Sequence, residues 1–138
     1  MGKIIQDFWI ISGSGIVIFK RIFDQELSAQ LFGGFMKALS IVADLLSSGG
    51  LTNFELNSIK YTILKSNNFL FVGNSVKKVK EKRIQEELIR IAEKFFEKYS
   101  IEWLKNDWDG NIEIFSEFEK EIDDVLQDPV ENFWKAWK

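Results

Sequence analysis

The stretch Ser12-Gly13-Ser14-Gly15, set between Ile10-Ile11 and Ile16-Val17-Ile18-Phe19, is the first place to look for chemistry. Glycine-rich turns cradle phosphates when backbone N–H groups and a helix N-terminus converge on one anion. A dinucleotide fingerprint places three glycines, G-x-G-x-x-G, between a strand and a helix. Gly13 and Gly15 fill the first two positions, but Ile18 stands at the third. β-Branched residues follow the turn, and the Gly-Lys-Ser or Gly-Lys-Thr of a Walker loop does not occur. The spacing predicts a hairpin whose glycines take positive φ rather than a phosphate site.

The remaining candidates are carboxylates and lysines. Asp107, Asp109 and Asn111 have the alternate spacing that opens a calcium loop. That loop needs Gly at its sixth position and Glu at its twelfth; here Ile112 and Phe118 occupy them. The expectation is a capping turn before a helix. Glu113, Glu117, Glu119, Glu121, Asp123 and Asp124 supply many carboxylate pairs, which on an amphipathic helix form the solvated face. Lys77 to Arg83 is a basic cluster at the start of a predicted helix, where positive charge does not complement the dipole. It reads as a solvated loop, or as a contact for an acidic partner or an anionic membrane.

The chain has no His and no Cys. The commonest general base, the commonest metal ligand and the thiolate nucleophile are therefore missing. A net charge of −3 weighs against nucleic acid. No catalytic residue, cofactor or metal ligand is assigned, and the expectation is a protein that is not an enzyme.

Binding surfaces need a scaffold to hold them. A chain of 138 residues, 46% hydrophobic, fits one domain with a real core. Ile4–Ile11 and Ile16–Phe23 read as strands rich in β-branched and aromatic residues. Asp24 can cap a helix in which Leu27, Leu31, Phe35, Leu39, Val42 and Leu46 recur at helical spacing. It should end near Ser47-Ser48-Gly49-Gly50. Phe54 and Leu56, then Ile59, Tyr61 and Ile63, alternate with polar residues as strands with one wet face. Ser66-Asn67-Asn68 makes a turn into Phe69-Leu70-Phe71-Val72, which is continuously apolar. Continuous apolar strands are covered on both faces. This strand and the first one are therefore expected inside the sheet, with the alternating strands toward an edge. Ile84, Leu88, Ile91, Phe95 and Tyr99 mark a second helix, and Ile112, Phe115, Phe118, Ile122 and Val125 a third. The order is β-β-α-β-β-β-α-α, a mixed α/β (α+β) plan with helical layers on both faces.

Two features stand apart. Gly33-Gly34 interrupts the first helix, at roughly 0.5–1 kcal/mol per glycine relative to Ala. Close approach to the sheet or to another subunit would offset that. After Pro129 the tail, residues 129–138, puts Val130, Phe133, Trp134 and Trp137 on one helical face. It either packs on its own domain, residues 1–128, or anchors a partner or a membrane interface.

Several local patterns resemble the longin domain, a profilin-like fold of membrane-trafficking proteins. They are Ser14-Gly15-Ile16-Val17-Ile18-Phe19, Leu31-Phe32-Gly33-Gly34-Phe35-Met36-Lys37-Ala38-Leu39, Phe95-Phe96-Glu97-Lys98-Tyr99 and Phe115-Ser116-Glu117-Phe118. The resemblance spans roughly residues 3–127. It implies a five-stranded antiparallel sheet in the order 2-1-5-4-3, with one helix on one face and two on the other. It also implies a non-catalytic interaction module, dimerising and engaging a small GTPase or a trafficking-type complex. Strand two would then be an edge open to pairing. With the first helix it suggests Ile16, Ile18, Phe19, Gly33 and Gly34 as interaction residues, with Phe133, Trp134 and Trp137 from the tail. No SNARE heptad follows. The roadblock fold, which also serves GTPases, begins with a helix before the hairpin, whereas this chain starts on a strand. A pocket between the first helix and the sheet, or peripheral membrane binding, are the alternatives. No apolar run reaches the roughly 18 residues of a membrane span, so a cytoplasmic protein is expected.

Overall fold

A computed structural model describes residues 5–21, 39, 41, 43–46, 49–56, 59–75 and 79–122. Its centre is a five-stranded antiparallel sheet of β1 (Phe8–Ser12), β2 (Val17–Arg21), β3 (Leu51–Leu56), β4 (Ile59–Ser66) and β5 (Phe69–Ser75). The strand order is β2-β1-β5-β4-β3, the order expected above. β1 and β5 lie inside, paired to each other from Phe8↔Gly73 to Ser12↔Phe69. All five residues of β1 are buried, as a strand covered on both faces requires.

The β1–β2 and β4–β5 hairpins form where turn chemistry places them. Asn67 and Asn68 take φ of 51° and 67° between β4 and β5, the left-handed pair a tight two-residue hairpin needs. Between β1 and β2 only Gly15 does so, with φ of 89°. Gly13 is glycine for a different reason: a Cβ there would overlap the Asn68 side chain of the neighbouring hairpin.

One face of the sheet carries α1 (Glu81–Lys98), α2 (Ile101–Asn106), a 3₁₀ segment (Ile112–Phe118) and α3 (Glu119–Ile122). Phe8, Ile10 and Phe71 of the sheet pack there on Leu88, Ile91, Phe95, Phe115 and Phe118. The Phe95 ring meets those of Phe69, Phe71, Phe96, Tyr99, Phe115 and Phe118 at centroid distances of 5.1–5.8 Å. Gly73 lets α1 come close: a Cβ there would lie 3.3 Å from Ile5 and Leu88 side chains.

The other face packs Trp9, Ile11, Tyr61, Ile63, Leu70 and Val72 against Leu39, with Ala43 and Leu46 beside them. Leu39, Ile41 and residues 43–45 are helical. Gly49 follows at φ 82°, in the left-handed geometry expected where this helix ends.

Three details differ from expectation. Regular pairing in strand one begins at Phe8 rather than Ile4, because Asp7 gives its N–H to the Asn74 side chain at 2.7 Å instead of to a ladder. α2 is an additional short helix, capped by Ser100, whose Oγ accepts from Trp103 N–H at 3.1 Å. The third helix opens as a 3₁₀ segment. Asp24, Gly33, Gly34, Val125 and the tail with Phe133, Trp134 and Trp137 lie outside the described residues.

Candidate interaction surfaces

β2 is one edge of the sheet and β3 the other. In β2, Ile10 pairs with Phe19 and Ile11 with Val17, so Ile18 is an extra residue in a bulge. A bulge breaks the alternation of faces, and here it sends both Ile18 and Phe19 into the core beneath the 3₁₀ segment. They are 4% and 7% exposed, and the Phe19 ring lies edge-on to Phe118 at 5.6 Å. Their side chains are core residues and are not presented at the surface. Ile16, just before the strand, is 53% exposed. The rest of β2 carries exposed Lys20 and half-buried Arg21, which pairs with Glu119 at 3.4 Å. A short, bulged, cationic edge opposes pairing with another sheet.

The first helical stretch offers a different surface. Ile41 is 59% and Leu45 81% exposed, four residues apart and so on one helical face. Their neighbours Leu39, Ala43 and Leu46 pack inward. In the sequence Leu39, Val42 and Leu46 already form one apolar stripe at helical spacing, so Ile41 and Leu45, two further large apolar residues in the same stretch, were the signal for a second apolar face. Lys65 closes this region by donating to the carbonyls of Leu46 at 3.1 Å and Ala43 at 3.5 Å, as a cation at a helix C-terminus does.

Within the β1–β2 turn, Gly15 N–H donates to the Ser12 carbonyl at 2.9 Å and Ile16 N–H to Ser12 Oγ at 3.2 Å. Amides that a phosphate loop would turn outward are bonded inside the hairpin. Near Asp109, the carboxylate accepts from Asn111 N–H at 2.9 Å, and Asn111 Oδ1 accepts from Glu113 N–H at 3.0 Å. This is the capping turn expected. Glu113, Glu117, Glu119 and Glu121 are exposed, as a solvated face; Asp123 and Asp124 lie outside the described residues. Of the basic cluster, Lys80 and Lys82 are exposed at the start of α1, where Glu81 lies 3.9 Å from Lys60; Lys77 and Lys78 are outside the described residues.

A buried polar group that sequence reasoning did not single out sits where Ile5–Asp7 meets β5. Asp7 is 6% and Asn74 2% exposed. Asn74 Nδ2 donates to Asp7 Oδ2 at 2.9 Å while Asn74 Oδ1 accepts from Asp7 N–H. Tyr61 is paired with Asn74 across the β4–β5 ladder. Burial pushes its hydroxyl above the usual value of 10.0; the Asn74 hydrogen bond opposes this and the charge of Asp7 adds to it. Tyr99, across the sheet, donates to the Ile114 carbonyl at 2.9 Å. Burial raises its pKa too, with help from Glu117 and Glu121. Burial thus favours the neutral hydroxyl of both tyrosines, and that of Tyr99 is a structural donor.

Two openings flank the hairpin tips. One, of about 320 Å³, lies between the hairpins and the first helical stretch, with Leu39, Ala43, Asp44 and Lys65 in its wall. This is where a pocket between first helix and sheet was anticipated as an alternative. The second, of about 500 Å³, lies on the α2 side. Among the described residues no helix is long and apolar enough to cross a membrane. The sequence matches no protein-family model and no curated protein.

Proposed function

We propose that this chain is a non-catalytic protein-interaction module of longin type, which dimerises and engages a small GTPase or a complex like those of vesicle trafficking. The sheet order β2-β1-β5-β4-β3, with helical layers on both faces, is the architecture this resemblance implies, and it supports the reading. The observation that carries it is the outward apolar pair Ile41 and Leu45. Large apolar side chains grouped on one helix face are what a protein partner covers. In this reading the first helix supplies the anchors, with Ile16 as a third contact, and the β2 edge contributes little. The module works in the cytoplasm, at most peripheral to membranes.

The test is mass in solution. Sedimentation velocity of the wild-type protein should give a dimer, and Leu45→Lys should give a monomer with an unchanged circular dichroism spectrum. Dimerisation through this face is refuted by a wild-type monomer at high concentration, or by a Leu45→Lys protein that stays dimeric. A panel of small GTPases in GDP and GTP-analogue states then tests the partner class by the same method; no co-sedimentation with any of them removes it.

A further inference from the structure

We propose that the opening between the two hairpin tips and α2 binds a small organic anion with a flat apolar body, such as an aromatic carboxylate. Its volume of about 500 Å³ falls within the roughly 300–1,000 Å³ of small-molecule sites. The wall divides by chemistry. Phe69, Leu104 and Trp108 make an apolar side, and Ser14, Asn67 and Asn68 bring hydroxyl and amide groups to the other. Sites of this kind combine an apolar body with a few placed polar groups that fix orientation.

The charge points to an anion. Lys105 lines the opening, is exposed, and makes no ion pair among the described residues. No carboxylate is among the described residues that line it, although Asp and Glu outnumber Lys and Arg by 21 to 18 in the chain. Asp107 and Asp109 flank Trp108 in sequence without entering the wall. The opening on the opposite side of the tips shares Ser12, Gly13, Ser14 and Asn68 but has Asp44 in its wall. Its lysine, Lys65, is already bonded to helix carbonyls. An anion is therefore favoured on the α2 side.

The groups are also held in place before any ligand arrives. Trp108 Nε1–H donates to the Asn111 carbonyl at 2.9 Å, and its ring meets Phe115 edge-on at 5.2 Å. Asn67 and Asn68 sit in a tight hairpin with left-handed backbone. The absent Cβ at Gly13 leaves the Asn68 amide room between the tips. Groups fixed in advance lose little freedom on binding.

The probes are indole-3-acetate and its neutral counterpart indole-3-acetamide, titrated into isotope-labelled full-length protein and followed by heteronuclear NMR. Saturable shifts should appear at the Gly13, Asn68 and Lys105 amides and at the Trp108 indole N–H. The acetate should bind about fivefold more tightly than the amide, the size of an exposed ion pair. Lys105→Gln, an exposed substitution that leaves the core intact, should remove that preference and keep the amide's affinity. The proposal is overturned by any of three results: no saturable shift up to about 10 mM probe, shifts confined to other residues, or equal affinity for acid and amide in the wild-type protein.

Discussion

The two faces of the sheet differ in how many aromatic rings and how many buried polar groups they hold. Under α1 and the 3₁₀ segment the core holds a cluster of aromatic rings with fully buried Phe95 at its centre, set among aliphatic residues such as Ile10, Leu88 and Ile91. Under the first helical stretch it is aliphatic and mixed, with Trp9 and Tyr61 beside the buried pair Asp7 and Asn74. The first face holds the molecule by area, since each buried aromatic removes a large apolar surface from water. The second holds a single arrangement by hydrogen bonds that have no good substitutes once buried. The stretch that covers this second face also turns Ile41 and Leu45 outward. The proposed docking surface thus sits over the more polar core.

That contrast ranks the consequences of mutation. Phe95→Ala should be the most damaging single change, costing about 3–5 kcal/mol for a buried Phe truncation. Against a total stability of about 5–15 kcal/mol, the variant should melt far below the wild type in a calorimetric scan. A loss under about 1 kcal/mol would mean that the ring cluster collapses around the gap and is not the main anchor. Asn74→Ala should come second, at about 1–3 kcal/mol, because it leaves the Asp7 amide and carboxylate short of a buried partner. The urea midpoint should fall while the slope stays constant. An unchanged midpoint would show that Asp7 does not depend on Asn74, and the distinction between the faces would lose its basis.

The fold was largely legible in the sequence because it is written in local patterns. Continuous apolar runs marked β1 and β5 as interior strands, and Asn67-Asn68 and Gly49 marked reversals that need left-handed backbone. The bulge was not legible. Ile16-Val17-Ile18-Phe19 reads as an uninterrupted apolar strand, and only its pairing shows which residue is extra. For this reason Ile18 and Phe19 looked like edge anchors and are core. The 3₁₀ segment was half legible: Ile112, Phe115 and Phe118 recur every three residues, the 3₁₀ repeat, before Ile122 follows at four. The site proposed on the α2 side was beyond reach. It joins residues from the two hairpin turns to Lys105 and Trp108, and no spacing rule brings positions so distant in the chain together.

The smallest expected effect separates the faces by pH, since each holds one buried tyrosine. Tyr61 and Tyr99 are 2% and 9% exposed, and both have pKa values raised above 10.0, chiefly by burial. The unfolded chain therefore releases these protons first as pH rises. Above about pH 10 the folded state binds more protons than the unfolded one, so stability declines with rising pH until the folded-state pKa values are passed. Below pH 10 both hydroxyls are protonated in either state, and this contribution is constant. Other side chains also titrate at alkaline pH, so the wild-type curve alone does not isolate the tyrosines. Differences between variants do. Tyr61→Phe and Tyr99→Phe should each flatten the alkaline decline of the urea midpoint. Tyr61 should matter more if the charge of Asp7, itself buried, acts on it more strongly than exposed Glu117 and Glu121 act on Tyr99. Equal flattening would mean that burial alone sets both shifts. Flattening by neither would mean that the hydroxyls titrate as they do in the unfolded chain, and that the polar group around Asn74 is open to water.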